Sequence, residues 1–172
     1  MRIILTGLPG VGKTYLGNQL AKYLDLRFID LDQYIVDVEG DHIPNIFEQK
    51  GEQYFRTIET KALEECLKYD QIVLATGGGT LCHSENLKKA TTIGICVYIK
   101  DYLGAIANRI DQNRGQRPMF LGLNQLETEK KLGQLLKKRR SYYEQTHVIT
   151  GLEAVSNLQL LTNRLLLFTK DA

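Results

Sequence analysis

The chain has 172 residues, of which 43% are hydrophobic and 24% charged, and its formal net charge is +2. This composition is typical of a globular protein and excludes a disordered chain, while the length suits one domain that buries its own core. The mild charge gives no argument for a nucleic-acid partner. No targeting segment or membrane-length apolar run stands out, and the three cysteines form no spaced framework. We therefore expect a cytoplasmic protein with reduced thiols.

The first motif is GLPGVGKT at residues 7–14, which matches the pattern G-x-x-x-x-G-K-[ST]. It follows an apolar run at 3–5, which predicts a buried strand, and it opens a stretch of leucines with helical spacing. Glycines in this context let backbone N–H groups surround a phosphate, and the N-terminus of the helix favours the same anion. The alternative is a glycine-rich turn with a chance lysine.

This motif predicts a binding site for a nucleoside triphosphate. We expect Lys13 to neutralise the β- and γ-phosphates and the hydroxyl of Thr14 to bind Mg²⁺. The residues that we expect to contact the nucleotide here are Gly10, Val11, Gly12, Lys13, Thr14 and Tyr15.

Two acids stand at the end of a second predicted strand, at 26–31. Asp30 and Asp32 are two residues apart, so an extended backbone would turn both carboxylates to one face. In a parallel sheet, ligands bind at this carboxyl end. We expect Asp30 to hold Mg²⁺ through water and Asp32 to orient or deprotonate an attacking hydroxyl. The simpler interpretation is that Asp32 only caps the following helix.

A helical pattern after Gly40 is interrupted by Gly51, which predicts two helices, the second from about 52 to 69. On the second helix, Arg56 and Glu59 are three residues apart and can face each other. An ordinary surface ion pair is the competing interpretation. Farther along, a predicted strand runs into TGGGT at 76–80, where glycines let a ligand approach the backbone closely.

Taken together, the phosphate loop, Asp30-Leu31-Asp32, the segment 46–59 and the triple glycine at 77–79 resemble shikimate kinase. The motifs occur in the order and at the spacing of that family, and the resemblance covers nearly the whole chain. It implies an α/β phosphate-loop kinase fold, with a five-stranded parallel sheet in the order 2-3-1-4-5 and helices on both faces. It also implies one domain over 1–172.

The resemblance further implies a shikimate-binding subdomain at about 32–60 and a lid at about 112–123. Arg56 would bind the substrate carboxylate, with Glu59 steadying it, and Arg139 would be the second carboxylate-binding arginine. An arginine suits this role because its planar guanidinium can hold a carboxylate through two parallel hydrogen bonds. Two glycines would contact the ring of shikimate, and a lid arginine would contact the γ-phosphate; these residues are Gly78, Gly79 and Arg117.

Several positions depart from the family pattern or stay open. The family commonly has alanine at the position of Thr80 and two leucines where this chain has Met119 and Phe120. The neighbouring Arg140 makes a one-residue slip from Arg139 an alternative. Phe47 and Phe55 match pocket positions but suit core packing equally, and either Arg109 or Arg114 could stack on adenine.

We therefore expect a monomeric enzyme that uses ATP and Mg²⁺ to phosphorylate the 3-hydroxyl of shikimate, with Asp32, Lys13 and Arg117 as its catalytic residues. One alternative is another small-molecule kinase, acting on gluconate or a nucleoside monophosphate. The other is a nucleotide-binding module without enzymatic activity. The basic run at 137–140 does not make a continuous basic face, so we expect no nucleic-acid partner and no membrane partner.

Overall fold

The computed structural model of the chain describes residues 1–112 and 118–169. Its strands form one five-stranded parallel sheet in the order β2-β3-β1-β4-β5. The predicted α/β fold and its strand order are confirmed. The strands are Arg2–Thr6 (β1), Arg27–Asp30 (β2), Ile72–Ala75 (β3), Ile95–Lys100 (β4) and Val148–Gly151 (β5).

At least one helix lies between every two consecutive strands, as parallel pairing requires. None of the helices in the described ranges is long and apolar enough to cross a membrane. The helices are Lys13–Leu24 (α1), Leu31–Glu39 (α2), Ile43–Cys66 (α3), Ser84–Ile93 (α4), Leu103–Gln112 (α5), Gln125–Tyr143 (α6) and Leu158–Leu166 (α7).

The sheet is covered on both faces, which explains why its strands read as continuous apolar runs. Side chains alternate along β1, so that Ile3 and Leu5 belong to one core cluster and Ile4 belongs to the other. The first cluster lies against α1, α5, α6 and α7, and the second against α2, α3 and α4.

One predicted boundary was wrong in a way that matters for the site. The second strand ends at Asp30, and α2 begins at Leu31, so Asp32 lies in the first turn of a helix rather than on extended backbone. The predicted break at Gly51 is confirmed, because α3 is kinked there, with Gly51 outside helical geometry at φ 80° and ψ 171°; the part after the kink, predicted at 52–69, ends at Cys66.

The parallel arrangement brings the carboxyl ends of the central strands to one edge of the sheet. Asp30 of β2 pairs with Ala75 of β3, and Leu5 of β1 pairs with the same residue. The phosphate loop, the start of α2 and the triple glycine therefore all leave the sheet at one level.

Candidate active site

The phosphate loop depends on a glycine immediately before α1. Gly12 has a φ of 103°, in the left-handed region, and a β-carbon there would lie 2.7 Å from Cδ1 of Leu152. The backbone conformation therefore favours glycine, and a β-carbon would also displace the side chain of Leu152. Lys13 begins α1, and its ammonium donates hydrogen bonds to the carbonyl oxygens of Gly7 and Leu8, each at 3.0 Å. The lysine charge is thus held across the loop at the positive end of the helix dipole.

Next to the loop, Thr14 and Asp30 form a pair of oxygen groups. The hydroxyl of Thr14 donates to Oδ2 of Asp30 at 2.8 Å. The other carboxylate oxygen of Asp30 accepts from the backbone N–H groups of Asp32 and Gln33, at 3.1 and 3.4 Å. Asp30 is therefore the residue that caps α2, and the alternative that Asp32 caps it was wrong.

This pair fits a hard divalent cation. Magnesium binds oxygen ligands, retains several waters and is held by one or two carboxylates together with substrate phosphates rather than by a full protein cage. In the ranges the structure describes, no group of three or more His, Cys, Asp or Glu side chains is arranged to hold a metal ion. The Thr14 hydroxyl and the Asp30 carboxylate supply the kind of partial ligand set that magnesium needs beside a bound nucleotide.

A cleft of about 930 Å³ opens beside the phosphate loop. Its walls come from the loop itself, the first turn of α2, α3, the triple glycine, the turn after residue 117 and α6. The residues that line it include Pro9, Lys13, Asp32, Phe47, Phe55, Arg56, Glu59, Gly77, Gly78, Gly79, Met119, Phe120 and Arg139. The cleft thus combines two arginines, a lysine and three acidic residues with apolar and aromatic walls, as expected for a small polar acceptor.

Arg56 is fixed by a buried acid on its own helix. Its Nη1 donates to Oε2 of Glu59 at 2.7 Å, and its Nη2 makes a looser contact of 3.3 Å with Glu52. Glu59 is only 1% exposed, so this is not the surface pair that the spacing alone would favour. Burial by itself would lower the pKa of Arg56, but the charge and hydrogen bonds of Glu59, aided by Glu52, raise it above its ordinary value. The guanidinium therefore remains charged.

The triple glycine leaves room for both arginines. A β-carbon at Gly79 would lie 3.3 Å from Nη1 of Arg56 and 3.4 Å from Nη2 of Arg139, and one at Gly78 would lie 3.2 Å from Nη1 of Arg139. Arg140 instead points to solvent and pairs with Glu144 at 2.7 Å. The structure thus brings Arg139, not its neighbour, to the cleft.

Asp32 lies at the opposite end of this glycine loop. Its Oδ1 would be 2.9 Å from a β-carbon on Gly77, and both Asp32 and Lys13 line the cleft. An acceptor hydroxyl placed between the glycine loop and the phosphate loop would therefore lie within reach of a carboxylate and a cation.

The aromatic residues pack in the hydrophobic core and also line the cleft. Phe55 is buried, its ring centroid is 4.5 Å from that of Phe47, and both rings line the cleft. Phe120 is also buried and Met119 is partly exposed, so this departure from the family pattern still supplies apolar wall.

Some predicted residues fall outside the described ranges. Arg117 and Arg114 are among them, as is the part of the predicted lid at 113–117. Arg109 is described, and its Nε donates to the carbonyl oxygen of Gly10 at 3.1 Å while its Nη2 donates to Asp101 at 2.5 Å. Of the two candidates for contact with adenine, Arg109 therefore lies against the phosphate loop.

Two contacts to the glycine loop were missed by the sequence analysis. Tyr143 is fully buried, stacks on Tyr98 and donates its hydroxyl proton to the carbonyl oxygen of Gly78. Thr80 donates to Glu59. No sequence motif indicates either contact, because the two partners are distant along the chain. The available signal was a polar residue among apolar residues or glycines.

The fold and this site define an ATP-dependent small-molecule kinase of the phosphate-loop class. Residues 9–168 match the family model described as shikimate kinase. The chain is 40% identical to a shikimate kinase of Alkaliphilus oremlandii over 147 residues, which are 86% of each chain. It therefore belongs to the shikimate kinase family.

Solved structures agree with this assignment. The crystal structure of shikimate kinase from Bacteroides thetaiotaomicron superposes with a TM-score of 0.89 at 32% identity, covering 95% of this chain and 98% of that one. Shikimate kinase from Acinetobacter baumannii, in complex with shikimate, superposes with a TM-score of 0.86 at 35% identity, covering 99% of this chain and 95% of that one.

Proposed function

We propose that this protein transfers the γ-phosphoryl group of ATP to the 3-hydroxyl of shikimate, giving shikimate 3-phosphate and ADP. Membership of the family gives the reaction. The observation that carries the choice of acceptor is the convergence of Arg56 and Arg139 above Gly79, because two guanidinium groups suit a carboxylate. The proposed shikimate-binding subdomain is the segment at about 32–60, which contributes Arg56 and the acid at the start of α2.

The acceptor hydroxyl is oriented by Asp32, which also accepts its proton as the bond to phosphorus forms. This role is supported by the position of Asp32 in the cleft wall, beside the glycine loop and on the same side as Lys13. Phosphoryl transfer needs little covalent help from a protein, so positioning and charge stabilisation supply most of the rate.

The phosphates are bound by the loop at 10–15 and by Lys13, whose ammonium leaves its carbonyl partners when a stronger anionic partner arrives. Mg²⁺ would be held by the Thr14 hydroxyl and, through water, by the carboxylate of Asp30. When bound, it neutralises part of the phosphate charge. Arg117 is proposed to contact the γ-phosphate as part of a lid at about 112–123, which excludes water from the reaction.

A monomer acting in the cytoplasm completes the proposal. The three cysteines are unpaired in the described ranges, where Cys66 and Cys96 are buried, and this suits a reducing compartment.

The test is the identity of the product. Incubation with ATP, Mg²⁺ and shikimate should yield a compound whose ³¹P signal couples to the proton on carbon 3 of the ring. A phosphate on another hydroxyl would contradict the proposed placement of the acceptor, and the absence of any phosphorylated acceptor would contradict the function.

A further inference from the structure

Thr80 connects the glycine loop to the buried acid behind Arg56. Its side chain is fully buried, and its hydroxyl donates a hydrogen bond of 2.6 Å to Oε1 of Glu59. The other carboxylate oxygen, Oε2, accepts from Arg56 at 2.7 Å. Thr80 itself does not line the cleft, and its hydroxyl is linked to the acceptor site through Glu59 and Arg56.

The two hydrogen bonds together stabilise the buried carboxylate of Glu59. A carboxylate removed from water is stable only when its oxygens are bonded, and bonds to an ionised acceptor are short and strong. Arg56 satisfies one oxygen of Glu59 and Thr80 satisfies the other. Rotation of the carboxylate about its last torsion would break both hydrogen bonds, which favours one orientation of the guanidinium bonded to it.

Thr80 is itself held in place. Its carbonyl oxygen accepts from Nδ2 of Asn86 at 3.0 Å, and the same amide nitrogen donates to the hydroxyl of Thr60 at 3.2 Å. Asn86 is buried on α4, and Thr60 follows Glu59 on α3. The backbone of Thr80 is therefore tied to the helix that carries Glu59 and Arg56, which fixes the distance that its hydroxyl must span.

We propose that Thr80 is a positioning residue for the acceptor carboxylate, acting through Glu59 on Arg56. This inference rests on the proposed function, because the carboxylate in question is that of shikimate. The hydroxyl of Thr80 strengthens binding of the acceptor without touching it and has no part in binding ATP.

The experiment compares two variants with the wild-type enzyme. Thr80→Val replaces the hydroxyl by a methyl group of similar size, and Thr80→Ser keeps the hydroxyl. Loss of one hydrogen bond to a charged group predicts that Thr80→Val raises KM for shikimate roughly fivefold to thirtyfold. KM for ATP should stay within about twofold in both variants, and Thr80→Ser should restore KM for shikimate to near the wild-type value. Thr80→Ala serves as a second hydroxyl-free variant if the valine protein does not fold.

A double-mutant cycle separates positioning from a general loss of structure. In an Arg56→Lys background, the guanidinium that Thr80 helps to orient is gone, so adding Thr80→Val should raise KM for shikimate less than about twofold further. If Thr80→Val raised KM for shikimate in the Arg56→Lys background by the same factor as in the wild type, the result would overturn the inference. So would equal increases of KM for shikimate and ATP, or a Thr80→Ser variant as impaired as Thr80→Val.

The failure of this inference is distinguishable from the failure of the proposed function. If the wild-type enzyme does not phosphorylate shikimate, the function is wrong and the inference falls with it. If the wild-type enzyme does so and Thr80→Val has an unchanged KM for shikimate, the inference alone is wrong.

Discussion

The guanidinium groups of Arg56 and Arg139, carried by α3 and α6, approach the same point above the triple glycine. A β-carbon on Gly79 would lie within 3.4 Å of a nitrogen atom of each. Like charges converge in this way only where an anion is to be bound or an acid neutralises part of the charge, and Glu59 neutralises that of Arg56. Arg139 is therefore the proposed carboxylate ligand whose charge Glu59 does not neutralise directly.

Replacement of Arg139 by lysine should therefore weaken acceptor binding. Lysine keeps the charge but loses the planar pair of donors, so we expect KM for shikimate to rise about tenfold to a hundredfold with little change in KM for ATP. Arg140→Lys is the matched control, because Arg140 is exposed and pairs only with Glu144 among the described residues. Steady-state kinetics, with shikimate and ATP varied in turn, measures KM for each substrate in both variants. Equal effects of the two variants would show that Arg139 does not hold the carboxylate.

Asp32→Asn tests the proposed proton acceptor. The amide keeps the size of the side chain but cannot take up a proton, so kcat should fall by about 10²- to 10⁴-fold. ATP affinity, measured by calorimetry without acceptor, should be nearly unchanged, because the Thr14–Asp30 pair and the phosphate loop remain intact. Near-normal turnover would remove Asp32 from the mechanism.

Gly79→Ala tests the space above the glycine loop. The added methyl group would stand 3.3 Å from Nη1 of Arg56, a tight contact, and 3.4 Å from Nη2 of Arg139, and it would occupy the space that we propose for the acceptor. We expect KM for shikimate to rise at least about fivefold, with a small change in Tm. Gly133→Ala is the control: it lies within α6, its β-carbon would meet Leu103 at an ordinary 3.6 Å, and it should stabilise the protein by about 0.5–1 kcal/mol. A large loss of stability with unchanged KM in Gly79→Ala would contradict this interpretation.

His147 should make stability depend on pH. Its half-buried ring accepts a hydrogen bond from the backbone N–H of Cys96 at 3.0 Å, and burial lowers its pKa below the ordinary 6.5. The unfolded chain therefore binds a proton more readily than the folded one. The contribution of His147 to stability is complete above about pH 6.5 and is lost as the pH falls from there through the lower pKa of the folded state.

Urea denaturation at several pH values measures this effect. His147→Asn keeps an acceptor near Nδ1 without the titration, so its midpoint should fall less between pH 7 and pH 5 than that of the wild type. His83→Asn, at the exposed N-cap of α4, is the control, and its midpoint should fall between pH 7 and pH 5 by as much as that of the wild type. Parallel curves for wild type and His147→Asn would contradict the prediction.

The fold could be predicted because the sequence patterns that indicate it are local or periodic. Apolar runs, helical spacing and the glycine motif located the strands, the helices and the phosphate loop, and the family resemblance supplied the strand order. The prediction that Asp32 lies on extended backbone was wrong because β2 ends one residue earlier than predicted and α2 begins at Leu31. Asp30 caps that helix, and a capping acid looks the same in sequence as a catalytic one.

Contacts between distant residues could not be predicted from the sequence. Arg139 and Arg140 are indistinguishable by type, and only the packing of α6 decides which of them faces the cleft. Thr80 looked like a minor departure from the family pattern, yet its hydroxyl satisfies a buried carboxylate on α3. Such contacts depend on where two elements meet in space, and no local pattern records that.

The most direct test of the account is the rate of ADP release with ATP and Mg²⁺ in the presence of shikimate, gluconate, AMP or CMP under identical conditions. We predict that shikimate alone accelerates ADP release, because the proposed site pairs Arg56 and Arg139 for a ring carboxylate with Asp32 for a hydroxyl, and all three residues line the cleft. Acceleration by gluconate or a nucleoside monophosphate and not by shikimate would contradict the proposed acceptor site. The interpretation of residues 7–14 as a nucleotide-binding phosphate loop would still hold.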